Sequence, residues 1–173
     1  MISKAVARAV RVRRWESDRL IRDGCRTPTR DGSWRDRMLE NFEISFMDSL
    51  SWDELRTALS KHLRTPIENV VMLGDWLDLP PKRQVESTSL DIIRQEGGYR
   101  TLIDGTSPLI VHGEKLGLLA AALAMEFSTS VAVGDYTHDC GYSGGRFTVY
   151  RPDGRTFFAV EKSDGEFWDL EPW

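Results

Sequence analysis

The residues of this chain best suited to chemistry lie in one glycine-punctuated loop, Asp135-Tyr136-Thr137-His138-Asp139-Cys140-Gly141-Tyr142-Ser143-Gly144-Gly145. A pair formed by His138 and Cys140 would make a thiolate nucleophile, and His138 with Asp135 and Asp139 would offer metal ligands, with His112 and Glu114 as candidates to join them in space. The spacing supports neither chemistry. Neighbouring residues point in different directions, His138 and Cys140 share a side only in extended chain, and no nucleophile elbow, HExxH or repeated CxxC pattern is present. Gly97-Gly98 and Gly144-Gly145 do not sit between a strand and a helix in a GxGxxG or GxxxxGK pattern, so they read as turn glycines and not as a phosphate cradle. His62, near the C-terminal end of a helix, reads as a solvated end residue favoured there by the helix dipole. No catalytic residue, metal or cofactor is therefore assigned. A small hydrolase or metal-dependent enzyme using His138, Asp139 and Cys140 stands as the alternative.

A second group of residues points to binding. Asp75-Trp76-Leu77-Asp78, then Asp135 and Asp139 beside Tyr136 and Tyr142, and finally Asp164, Glu166, Trp168, Asp169 and Glu171 interleave carboxylates with aromatic rings. That combination suits a cation-rich protein partner, because the charges raise the rate of encounter and the rings anchor the contact. The residues expected to carry it are Asp75, Trp76, Asp78, Asp135, Tyr136, Asp139, Tyr142, Asp164, Glu166 and Trp168. Acidic loops also serve simply to keep a small domain soluble.

Charge is unevenly distributed. The formal net charge of the 173 residues is -4, but residues 1–37 carry 11 Lys or Arg against 5 Asp or Glu, a net of +6, while the remainder carries 12 against 22, a net of -10. Residues 1–37 read as a basic extension, disordered or upstream of a natural start at Met38, and residues 38–173 as a single acidic domain. Nucleic-acid binding through the extension is a second alternative, confined to those residues. The longest apolar run, around Leu116 to Phe127, is too short to cross a bilayer, and no secretory leader pattern precedes it, so a cytoplasmic protein without a membrane partner is expected. Cys25 and Cys140 lack CxxC spacing and indicate neither a disulfide framework nor a zinc site.

The elements that must position these residues follow from periodicity. Phe42, Ile44 and Phe46 alternate with Glu43 and Ser45, which predicts a half-buried strand. Ser51-Trp52-Asp53-Glu54 has the form of a capping box and opens a helix bearing Trp52, Leu55, Leu59 and Leu63, with Pro66 beyond its end. Val70 to Leu73 predicts a strand broken by Gly74. Asp75 to Asp78 reads as an exposed stretch, Pro80-Pro81 as stiff extended chain, and Pro80 to Ser89 as a polar loop. Gly97-Gly98 between Leu90–Glu96 and Tyr99–Asp104 predicts a hairpin, with a helical turn across Leu90 to Gln95 as the competing reading. Leu109 to Val111 is a short extended lead into the next element. Lys115 to Phe127 predicts a core helix, apolar around most of its circumference and hence largely buried, and Val131 to Val133 a strand leaving it. Phe147–Tyr150, Thr156–Glu161 and Glu166–Leu170 alternate strongly around Pro152-Asp153-Gly154 and Ser163-Asp164-Gly165, which predicts an antiparallel meander. The fold class expected is α+β: a mostly antiparallel sheet, two main helices packed on one face, and a C-terminal β-meander.

From Leu116 onward, an alanine- and leucine-rich helix, a short valine-rich strand, a polar Asp/Tyr loop and then RFTVYRPDGRTFFAVEKSDGEFWDL resemble small bacterial immunity-type proteins encoded beside polymorphic secreted toxins. The resemblance implies an inhibitor that plugs the active site of a basic toxin partner with acidic residues. It carries over no particular residue.

Overall fold

The computed structural model describes residues 39–109, 113–134, 145–163 and 168–172. They form an eight-stranded sheet in the order β2-β3-β4-β1-β5-β6-β7-β8. The strands are β1 (Glu40–Phe46), β2 (Val70–Met72), β3 (Thr88–Arg94), β4 (Thr101–Ser107), β5 (Val131–Gly134), β6 (Arg146–Tyr150), β7 (Thr156–Ser163) and β8 (Trp168–Pro172). All neighbouring pairs are antiparallel except β2 and β3, where Val70 faces Thr88 and the strands run the same way. The helices are α1 (Trp52–Leu63), α2 (Leu73–Leu77), α3 (Pro81–Gln84) and α4 (Gly113–Phe127). Two main helices, a largely antiparallel sheet and a meander of β5 to β8 make the expected α+β architecture. Among the described residues no helix is long and apolar enough to cross a membrane.

The core forms where the strand period of two meets the helix period of 3.6. Phe42, Ile44 and Phe46 of β1, Leu90 of β3, Ile103 of β4 and Val131 of β5 project to one face, where they meet Leu55 and Leu59 of α1 and Leu116, Leu119 and Leu123 of α4. Phe46 and Phe127 meet edge to face, with centroids 6.0 Å apart. Each fully buried side chain of this size contributes about 1.5–3 kcal/mol. Gly105 is required by this packing: it faces Phe42 across the β1–β4 pair, and the Phe42 ring lies where a Cβ would stand. A smaller cluster occupies the opposite residue parity of the meander, where Ala132, Val149 and Ala159 are buried with Tyr99 and packed by Phe147, Phe157 and Leu170.

Helix α1 starts as its sequence dictates. Ser51 Oγ accepts from the Glu54 amide at 3.3 Å, and the Glu54 carboxylate accepts from the Ser51 amide at 2.8 Å. The hydrogen bonds from Ser51 hold the Glu54 carboxyl below its ordinary range. The helix ends at Arg64, whose φ of 52° reverses the chain ahead of Pro66.

Three expectations are corrected, and the β3–β4 hairpin holds with a longer turn than expected. The stretch around Asp75 to Asp78 is not open chain: Gly74 is inside α2, which the short reach between β2 and α3 closes into a helical turn. Pro80 is extended, with φ -57° and ψ 146°, but Pro81 occupies the first turn of α3 and the polar stretch after it already enters β3 at Thr88. The β3–β4 hairpin stands, against the helical alternative, with Arg94 opposite Thr101. Its connection is longer than two residues, closed by the Gln95 amide on the Arg100 carbonyl, and Gly97 supplies the positive φ of 128°. Finally, α4 is not buried all round, because Leu118 and Met125 are 65% and 64% exposed. One layer of helix over one face of a sheet covers only the side that meets the sheet.

Candidate protein-binding surface

The first acidic surface is a knuckle at the β2 edge of the sheet. Helix α2 is too short to be stable alone, and side-chain bonds hold it. The Trp76 indole N–H donates to the Gln84 carbonyl at 3.0 Å, while the Gln84 amide donates back to the carbonyls of Trp76 at 3.1 Å and Leu77 at 3.3 Å. Trp76 is therefore half-buried and spends its polar atom inside the chain. It acts as the strut of the knuckle. Asp75 and Asp78 are exposed on either side of Leu77, which is 63% exposed. Asp75 lies in the first turn of α2, where a carboxylate is favoured by the unpaired amides. Around them Ile67, Leu73 and Val85 are 43%, 38% and 40% exposed. Apolar side chains edged by carboxylates form the kind of surface that anchors a partner while steering its approach.

The platform beneath the knuckle is tied to the core. The Arg56 guanidinium of α1 lies 5.9 Å from the Trp52 ring centroid, and its Nε–H donates to the carbonyls of Ile67 at 3.2 Å and Val70 at 3.1 Å. Arg83 donates to Asn69 Oδ1 at 3.3 Å. The segment that leads into β2 is thus fixed against α1 and α3. The carboxylates project from a braced segment.

A second acidic feature was not read from the sequence. Glu43 of β1 faces Asp104 of β4, and Asp104 faces Asp91 of β3, so three carboxylates stand in register across adjacent strands. Their neighbours Ile44, Ile103 and Ile92 point to the core, which places the row on the sheet face opposite α1 and α4. Like charges directly opposite one another work against the pairing of their strands. Each residue was visible as an outward position in an alternating segment. Only the strand order and register bring together positions this far apart in sequence. Among the described residues no group of three or more His, Cys, Asp or Glu side chains could hold a metal ion, the row included.

His62 differs from its expected role as a solvated end residue. With a side chain only 22% exposed, it meets Glu126 Oε2 of α4, and Lys61 Nζ reaches the same oxygen at 3.0 Å. Burial raises the Glu126 pKa, but the hydrogen bonds and charges of Lys61 and His62 outweigh it and hold the carboxyl below its ordinary value. The reason for the difference is tertiary: the C-terminal ends of α1 and α4 converge. His62 joins them.

Asp135, Tyr136, His138, Asp139, Cys140 and Tyr142, with His112, are outside the described residues, as are Asp164, Glu166 and all of residues 1–37. Trp168 is in β8, its backbone opposite Ser163, and its side chain is outside the described set. Of the ten binding residues expected, the described structure places Asp75, Trp76 and Asp78 together. Compared with family models, curated proteins and solved structures, the chain finds no match.

Proposed function

We propose that this chain is a non-enzymatic acidic protein-binding module of the immunity or antitoxin type, whose partner is a basic protein such as a secreted toxin domain. The observation that carries the reading is the knuckle: two exposed carboxylates flank an exposed leucine on a helix braced by the Trp76–Gln84 hydrogen bonds. An apolar anchor between charges contributes affinity through Leu77 and encounter rate through Asp75 and Asp78. The carboxylate row and the net of -10 over residues 38–173 extend the same sign of potential over the domain.

The test is affinity capture from cells of the source organism with the full chain as bait, at low and high salt, beside a variant carrying Asp75→Asn, Leu77→Ala and Asp78→Asn. A basic protein retained in stoichiometric amount, released by salt and lost with the triple variant, is the expected result. With the partner purified, each Asp→Asn change should lower the association rate severalfold and leave the dissociation rate little changed, whereas Leu77→Ala should raise the dissociation rate. Capture of a basic partner that the triple variant retains would remove the knuckle from the argument.

A further inference from the structure

We propose that Asp153–Gly154, at the tip of the β6–β7 hairpin, is a latent site of aspartate isomerisation, and that Arg155 is the residue that restrains it. The inference is independent of the acidic binding reading and uses none of its residues. Asp–Gly is the step at which this reaction is least hindered, because the glycine nitrogen has no Cβ beside it. The chain carries such a step at Asp23, Asp31, Asp104, Asp153 and Asp164, and the structure describes those at Asp104 and Asp153. Their surroundings differ. Asp104–Gly105 lies within β4, paired on one side with Glu43 and Phe42 of β1 and on the other with Asp91 and Leu90 of β3. Closing an imide ring there needs a main-chain rotation that would break both ladders. Asp153–Gly154 is at an open tip, where the Asp153 side chain is 43% exposed and nothing stands within 4 Å of the place a Gly154 Cβ would take.

In the reaction the Gly154 nitrogen loses its proton and attacks Asp153 Cγ. An N–Cγ bond forms, the Cγ–O bond of the protonated carboxyl breaks, and that oxygen leaves as water. Water then adds back to the cyclic imide. Addition at the Asp153 main-chain carbonyl breaks its bond to nitrogen and leaves the chain running through Cγ as isoaspartate, with mass unchanged and nothing oxidised or reduced. Two features of the turn oppose these steps. The Gly154 N–H donates to the Arg151 carbonyl at 3.0 Å, beside the Arg151 amide on the Arg155 carbonyl at 2.9 Å, so the attacking nitrogen is also a donor that closes the turn. Arg155 holds both oxygens of the carboxyl: its amide donates to Oδ1 at 3.1 Å, its Nε–H to Oδ2 at 2.7 Å, and its Nη2 lies 2.5 Å from Oδ2. The bonds from its side chain and amide keep the Asp153 carboxyl below its ordinary range, hence ionised, and an ionised carboxyl has the poorer leaving group. Isoaspartate inserts a methylene into the main chain of the turn. The closure between Arg151 and Arg155 would be lost, and with it the register that sets Tyr150 against Thr156 and carries Phe157 and Ala159 into the second core cluster.

The full chain, aged at neutral pH and physiological temperature and then digested, tests this by mass spectrometry with fragmentation that separates isoaspartyl from aspartyl peptides. The same ageing in guanidinium chloride gives the rate at each step without the fold. In the folded parent, Asp153 should isomerise severalfold more slowly than in the denatured chain, although the tip is open to water. Arg155→Gln removes the guanidinium and leaves the amide, and should raise the folded rate at Asp153 severalfold while leaving the denatured rate little changed. Arg155→Lys, which restores the charge without the fork, should fall between them. Asp104 reports on the fold: it should stay unreacted in every folded sample, so a faster rate at Asp153 beside a silent Asp104 separates the release of one carboxyl from general unfolding. A folded parent that reacts at Asp153 as fast as the denatured chain overturns the inference, and this comparison needs no variant. So does an Arg155→Gln chain that isomerises at the parent's rate, or one whose gain at Asp153 is matched at Asp104.

Discussion

Thr101 is the residue with most depending on one atom. It is fully buried, and its hydroxyl accepts from the Leu50 amide at 3.0 Å and from Arg94 Nη1 at 2.6 Å while donating to the Asp48 carbonyl at 2.9 Å. Arg94 also donates to the Leu50 carbonyl and lies 3.4 Å from Ser49 Oγ. One hydroxyl therefore joins the β1–α1 connection to the β3–β4 hairpin. Thr101→Val preserves shape but leaves an amide, a carbonyl and part of a guanidinium without their partner, so urea denaturation should show a loss of about 2–3 kcal/mol. Thr101→Ser keeps the hydroxyl and should cost much less. Nothing in the sequence around position 101 marks this role, because the Leu50 amide and the Asp48 carbonyl that it joins to the hairpin lie about fifty residues upstream. The capping box at Ser51 and Glu54, by contrast, was fully legible: its partners are three residues apart, and local geometry decides it.

At the scale of elements, the convergence of α1 and α4 brings a pH dependence. The Glu126 pKa is depressed in the folded chain below its ordinary value of 4.5, despite the opposing effect of burial. A depressed carboxylate contributes stability that is present above its unfolded pKa and is lost as pH falls through the folded one. The clasp made by Lys61, His62 and Glu126 should thus weaken on acidification through and below pH 4.5. Thermal melts of the parent chain and of Glu126→Gln across that range should converge at low pH. At neutral pH they should differ by about 0.5–1 kcal/mol, the modest value of a partly exposed pair. Equal separation at all pH values would show that the clasp acts through packing alone. The element types themselves were mostly readable, since α1, α4 and the meander strands are long, periodic segments. Helices α2 and α3 were not, because their four or five residues carry too few apolar positions for a period to show and are held by the Trp76–Gln84 bonds.

Over the whole molecule, the same sheet that supports the core accumulates negative charge on its other face. The row formed by Glu43, Asp104 and Asp91 opposes like charges across two strand pairs. Asp91→Thr should therefore raise stability by about 0.2–1 kcal/mol, through relief of that repulsion and a better strand former. Urea unfolding at low salt measures it, and the gain should shrink at high salt. A lower stability would mean that Asp91 holds a structural contact. If the row also takes part in attracting a basic partner, the stabilised variant will associate with it more slowly, which is the expected trade between stability and a binding surface.

The amino-acid sequence alone determined the α+β class, the two main helices, the closing meander and the acidic character of residues 38–173. Those features rest on period, local capping and composition, which act within a few residues or sum over many. It also marked Asp75, Trp76 and Asp78 as neighbours. Tertiary structure alone decided the strand order, the parallel β2–β3 pair, the use of Trp76 as a strut, the carboxylate row, the contact between His62 and Glu126 and the exposed side of α4. Each of these depends on which distant segments are brought side by side. Hydrophobic periodicity says which face of an element is to be buried, but the packing of helix on sheet decides how much of it is covered.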